Sequence, residues 1–145
     1  MREIEINKNN LNLFLENIRD KDKEELIYFF GKNYKKYFIN FLLKNNKETY
    51  FLSYKSIPCA IGGAYKDKKG AQVWLLCAKE YDKKFLYKYI KEKFNKIKQK
   101  YNILYNFIYK SNFSSLNLLL KLGFQIIETN KPELKLFYLK KRRKP

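Results

Sequence analysis

The stretch Asn112-Phe113-Ser114-Ser115-Leu116-Asn117-Leu118-Leu119-Leu120-Lys121-Leu122-Gly123-Phe124 decides how this chain folds. Its apolar residues keep a helical spacing from Phe113 to Leu122, with Ser111 or Asn112 placed to cap the amino end. Gly123 then supplies the left-handed conformation that ends a helix, and Phe124 to Thr129 reads as the strand that follows. Just upstream, Ile103 to Tyr109 is rich in Ile, Tyr and Phe and reads as a strand feeding this helix. Just downstream, Leu134 to Leu139 is a last strand, ahead of a basic tail over 140–145, Lys140-Lys141-Arg142-Arg143-Lys144-Pro145.

Working towards the amino end, the longest helix is expected from Asp82 to about Lys100. Phe85, Leu86, Tyr89, Ile90, Phe94 and Ile97 recur there with a period of about 3.6, and Lys fills the other side. Before it the period changes. Thr49 to Tyr54, Cys59 to Tyr65 and Gln72 to Ala78 read as three strands of an antiparallel meander. The turns between them are Lys55-Ser56-Ile57-Pro58 and Lys66-Asp67-Lys68-Lys69-Gly70. Arg2 to Asn7 alternates as a short strand, and a helix follows to Ile18 with Asn9 or Asn10 as its N-cap. Asp20 to Glu25 reads as a polar linker into a helical segment, Leu26 to Phe30, closed by Gly31. A further helix over Asn33 to Leu43 turns Tyr34, Tyr37, Phe38, Phe41 and Leu42 inward. The order gives an α/β fold with a mixed sheet. No repeat and no long linker interrupts it, so residues 1–145 are expected to form a single domain.

Composition narrows the function. A hydrophobic share of 46% with 18% aromatic residues excludes a disordered chain. No apolar run approaches the roughly 20 residues a membrane span needs. The charges in Met1-Arg2-Glu3-Ile4 stand where a signal peptide would be apolar, so a soluble cytoplasmic protein is expected. Cys59 and Cys77 lie in apolar strands and read as buried free thiols rather than metal ligands. With no His, Ser-His and Cys-His nucleophiles and His-ligated metals are excluded, and no metal site is expected. The net charge of +18 has two readings. One is attraction to an anionic partner, whether nucleic acid, acidic protein or anionic cofactor. The other is the codon bias of an AT-rich genome, which favours Lys, Asn, Tyr, Phe and Ile and fits the excess of Lys over Arg.

The element order, with Asn112, Ser115, Lys121, Gly123 and Phe124 in register, resembles the GNAT superfamily of N-acyltransferases. The resemblance implies a GNAT-like mixed central sheet of about six to seven strands flanked by helices, and acetyl-CoA or another acyl-CoA as cofactor. It implies that the pantetheine enters between strands splaying at Leu76 to Ala78 and Tyr105 to Ile108. Cofactor contacts are then expected from Leu76, Cys77, Ala78, Lys83, Lys84, Asn112 and Ser115. The loop that would hold the pyrophosphate departs from the family pattern, reading Asp82-Lys83-Lys84-Phe85-Leu86-Tyr87. Asp82 stands for a basic or amide residue, and Lys83, Phe85 and Tyr87 stand for glycines. Leu119 takes the place of the Tyr that protonates the leaving thiolate, which leaves Tyr105, Tyr109 and Cys77 as substitutes and Glu80 as a candidate base.

Ile57-Pro58-Cys59-Ala60-Ile61-Gly62-Gly63, Trp74-Leu75-Leu76, and Asn106 ahead of Asn112 are similar to degenerate GNAT-like proteins of short-tailed phages. That likeness spans about residues 50–128 and implies a phage origin, with a link to the virion and DNA delivery. Two classes stay open. The chain is a non-standard acyl-CoA-dependent N-acyltransferase or a relative that has lost catalysis, or it is a non-catalytic protein that docks on an anionic nucleic acid or acidic protein.

Overall fold

The structure is a computed structural model that describes residues 1–81 and 83–141, the side chains of Lys83, Lys84 and Phe85 excepted. The chain runs β1 (Arg2–Glu3), α1 (Lys8–Glu16), α2 (Asp20–Phe30), α3 (Tyr34–Lys44), β2 (Thr49–Tyr54), β3 (Ile57–Lys66) and β4 (Ala71–Cys77). It continues with α4 (Lys83–Lys98), β5 (Ile103–Tyr109), α5 (Phe113–Lys121), β6 (Gln125–Glu128) and β7 (Leu134–Lys140). Seven strands form one sheet in the order β1-β2-β3-β4-β5-β7-β6. The sheet is mixed, because β4 and β5 are parallel whereas β1–β2, β2–β3, β5–β7 and β7–β6 are antiparallel. This is the α/β fold expected from the sequence. Its packing falls into two units, Met1–Gly63 with Leu75–Phe85, and Ala64–Trp74 with Leu86–Pro145. Among the described residues no helix is long and apolar enough to cross a membrane.

In the first unit β1 is shorter than expected, pairing with β2 only through Arg2 and Glu3, and Asn7 caps α1 from an extended conformation. Its side chain accepts from the Asn10 amide at 2.8 Å, so the cap is neither Asn9 nor Asn10. The polar run from Asp20 is the first half of α2 rather than a linker. Asp20 and Asp22 in the first turn face the positive end of the helix dipole, and Lys21 pairs with Glu24 at 3.5 Å. Gly31 ends α2 at φ 81°, its N–H donating to the Ile27 carbonyl at 2.7 Å. In α3, Tyr34, Phe38 and Leu42 turn inward as expected, but Ile39 is buried and Tyr37 is 52% exposed.

The β2–β3 hairpin closes on two residues, Lys55 and Ser56, both at positive φ as a type I′ turn requires. The strand β3 therefore begins at Ile57, and Pro58, which has no N–H to donate, pairs with Ser53 next to a register shift that leaves Cys59 as the extra residue on β3. Phe14 meets Phe51 edge-on at 5.8 Å in a core with Leu11, Leu42 and Ile61. Cys59 and Cys77 are both buried free thiols, as read from the sequence. Burial pushes the Cys59 thiol up to about 11, and it donates to the Leu52 carbonyl.

In the second unit α4 buries Leu86, Phe94 and Ile97. Phe94 packs on Phe124 at 5.4 Å, and Phe124 on Phe137 of β7 at 5.2 Å, which ties α4 to one face of the sheet. Lys121 of α5 lies over the Tyr87 ring of α4. Asn112 stands at the N-cap of α5 with its carbonyl accepting from Leu116 N–H, but its side chain makes no capping bond to the helix.

Two glycines are required for different reasons. A Cβ at Gly63 would lie 2.1 Å from the Glu48 carbonyl oxygen, a backbone collision with no side chain to move. Gly123 has open space around it but sits at φ 95°. Gly63→Ala is expected to lower stability by about 3 kcal/mol through overpacking. Gly123→Val is expected to lower it by about 1–3 kcal/mol through strain alone. Urea midpoints unchanged from wild type would contradict both assignments.

Candidate functional site

The carboxyl end of β4 is where the sequence placed its cofactor residues, and it lies wholly within the first unit. Leu76, Cys77 and Ala78 are all buried. Successive amides of a strand point to opposite edges. Ala78 N–H donates to the Cys59 carbonyl of β3 at 2.9 Å, so Cys77 N–H and Lys79 N–H point away from β3.

That outer edge is occupied by the chain itself. Between α1 and α2 the connector is extended, and Ile18 bridges Ala78 antiparallel. Lys79 N–H donates to the Asn17 carbonyl at 2.8 Å, and Arg19 N–H donates to the Cys77 carbonyl at 2.9 Å. The amide of Cys77 donates to Asp22 Oδ2 at 2.9 Å. Asp22 is fully buried, with Arg19 Nη1 3.7 Å from its other oxygen, and Lys79 Nζ lies 3.4 Å from Asp20. A strand-end amide can polarise a thioester carbonyl or pair with a pantetheine only if it points at the ligand unpaired. Here Cys77, Ala78 and Lys79 have each committed that donor internally.

The remaining expected residues are distributed as follows. Asp82 and the side chains of Lys83, Lys84 and Phe85 lie outside the described residues. Asn112 and Ser115 are buried at the start of α5 in the second unit. Tyr105, a candidate acid, donates its hydroxyl to Asp67 in a short bond and accepts from Gln72 at 3.4 Å. The bond to Asp67 raises the Tyr105 phenol above its ordinary value and lowers the Asp67 carboxyl, so Tyr105 is a weaker acid than a free tyrosine. Tyr81, just after β4, is raised too, by burial and by Cys59, and packs edge-on against Tyr54. Glu80 is exposed. Among the described residues no cluster of His, Cys, Asp or Glu could hold a metal. Sequence reasoning missed Asp22, which stood inside a run of seven charged residues, Arg19 to Glu25, and gave no sign of burial.

Comparison with known proteins bears on this geometry. The family described as "Bacteriophage T7, probable scaffold protein Gp13" matches residues 48–129, more than half of the chain. No curated protein matches. Among solved structures, PH1933 from Pyrococcus horikoshii OT3 superposes with a TM-score of 0.72 at 11% identity, covering 99% of this chain and 96% of that one. An acetyltransferase from Bacillus subtilis in complex with CoA gives 0.60 at 17% identity, covering 94% of each. A GNAT-family acetyltransferase from Streptococcus pneumoniae gives 0.59 at 14%, covering 97% and 98%. The fold is that of the GNAT acetyltransferases.

The buried carboxylate generates a direct test. Asp22→Ala leaves the Cys77 amide and the Arg19 cation without it, and is expected to lower stability by about 3 kcal/mol. Asp22→Asn keeps an oxygen for the amide and should lose less. Urea unfolding of both variants measures the difference, and equal, negligible losses would mean that the contact does not hold the edge.

Proposed function

This chain belongs to the family of the bacteriophage T7 probable scaffold protein Gp13, and from that premise we propose that it is a GNAT-fold phage protein that has lost acyl transfer and acts by binding. The observation that carries this reading is the β4 edge, where Asn17, Arg19 and Asp22 engage the backbone of Cys77 and Lys79. The residues present do not fit coenzyme A. The strand-end amides are committed, and Asp82 would repel the pyrophosphate that the family's loop attracts. The reading as a non-standard acyl-CoA-dependent N-acyltransferase rests on likeness to acetyltransferases such as the CoA complex from B. subtilis, a likeness of fold.

What remains for such a protein is its charge, and the charge is unevenly placed. The second unit carries 18 Lys or Arg against 4 Asp or Glu, a net +14, whereas the first carries 14 against 10, a net +4. A codon bias that enriches Lys acts on both units alike. It does not account for acidic residues being so few in one of them. The asymmetry supports docking of the second unit on an anionic partner.

Titration calorimetry with acetyl-CoA tests the loss of cofactor binding. At roughly 0.3 M salt, where the Debye length is well under 10 Å, no binding heat is expected. Low-micromolar affinity surviving that salt would overturn the reading.

A further inference from the structure

The second unit has a one-sided sheet. In β5, Leu104 and Ile108 alternate with Tyr105, Phe107 and Tyr109. Residues directly opposite in antiparallel strands share a face. The register Asn106↔Phe137 and Ile126↔Phe137 therefore puts Leu104, Ile108, Phe137 and Ile126 on the face where Phe94 of α4 packs through Phe124. The register Tyr105↔Tyr138, Phe107↔Leu136 and Ile127↔Leu136 puts the alternate set on the other face. Gln72 pairs with Tyr105, so Trp74, two residues on, joins that set. Phe107 is 40% and Ile127 45% exposed, with Trp74, Tyr105 and Tyr138 half-buried beside them. Four aromatic side chains thus share an open sheet surface.

One end of this surface is strongly basic. Asp67 receives the Tyr105 hydroxyl and the Lys69 and Gly70 amides, which fixes the turn after β3 beside Tyr105. A Cβ on Gly70 would lie 2.2 Å from the Ile103 carbonyl oxygen, so the same turn lies against the start of β5. Lys140 is paired with Ile103, and Lys141 N–H donates to the Asn102 carbonyl at 2.7 Å. Lys66, Lys68, Lys69, Lys140 and Lys141 therefore gather there, all exposed, with the Asp67 carboxylate already engaged by three donors.

We propose that this face binds single-stranded nucleic acid, with bases stacked on Trp74, Phe107 and Tyr138 and phosphates held by the lysines at the Ile103 end. The inference rests on the anionic-partner reading above and names the partner. Unpaired bases stack on aromatic faces without regard to sequence, whereas a duplex hides its base faces and gains only from the lysines. An acidic polypeptide would likewise use the lysines and leave the aromatic side chains unused. A second copy of the chain would bring the same net +14 against itself.

Trp74 is the chain's one tryptophan, so its emission reports stacking without a label on the protein. The experiment titrates the full chain with an oligothymidine strand, with a duplex of equal length and with polyglutamate, at three salt concentrations. The strand is expected to bind about tenfold or more tighter than the duplex and to quench Trp74. Phe107→Ala, at an exposed position, should weaken strand binding by about tenfold with the salt slope unchanged. Lys68→Ala with Lys69→Ala should instead reduce the log–log slope by roughly 0.7 for each phosphate the two side chains neutralise. Equal affinity for strand and duplex, insensitive to Phe107→Ala, would overturn the proposal and leave the anionic-partner reading standing. Preference for polyglutamate over both would do the same. No binding to any of the three would overturn both.

Discussion

Asp22 reaches from the first turn of α2 to the amide of Cys77, and much of the first unit is organised around that contact. A carboxylate is buried only where charge or donors compensate it, and here the Cys77 amide and the Arg19 guanidinium do so together. The contact fixes where α2 begins and holds the connector Asn17–Arg19 extended along β4. It also determines that β4 ends with its outer amides paired. Of those donors, the Cys77 amide is taken by the Asp22 carboxylate and the Lys79 amide by the backbone carbonyl of Asn17.

The second unit shows the complementary arrangement. Its sheet buries Leu104, Ile108 and Phe137 under α4 and leaves a surface of Trp74, Tyr105, Phe107 and Tyr138 on the reverse. Half-burial lets each ring gain packing from its neighbours while an edge or face stays accessible. The charge follows the same division, with acidic residues concentrated in the first unit and lysines little opposed in the second.

Much of this fold was legible in the sequence, and the failures are instructive. Thr49–Tyr54 and Ile103–Tyr109 are strands over the residues expected, because short runs of β-branched and aromatic side chains bounded by turns leave few alternatives. Gly123 stops α5 at positive φ, as its place after a helical run required. Residues 20–25 misled because six consecutive charges hide a helical period, and because the burial of Asp22 depends on a partner 55 residues away. The Asn112 side chain misled in a different way, since its position at the cap is real while the capping bond is not made. Asn7 was simply the nearer of several asparagines, and only geometry could choose among them. Leu76, Cys77 and Ala78 were expected as cofactor contacts from likeness to a family pattern, but the partners of the Cys77 and Ala78 amides, Asp22 and Cys59, could be seen only in the fold.

The two thiols carry a consequence for the surroundings the protein can tolerate. Cys59, raised to about 11, is almost entirely protonated near neutral pH, and Cys77 is fully buried. Oxidants and disulfide exchange act on accessible thiolates, so neither sulfur offers them a foothold while the fold is intact. The folded chain can therefore pass from a reducing to an oxidising medium without cross-linking through either cysteine, its thiols silenced by packing alone.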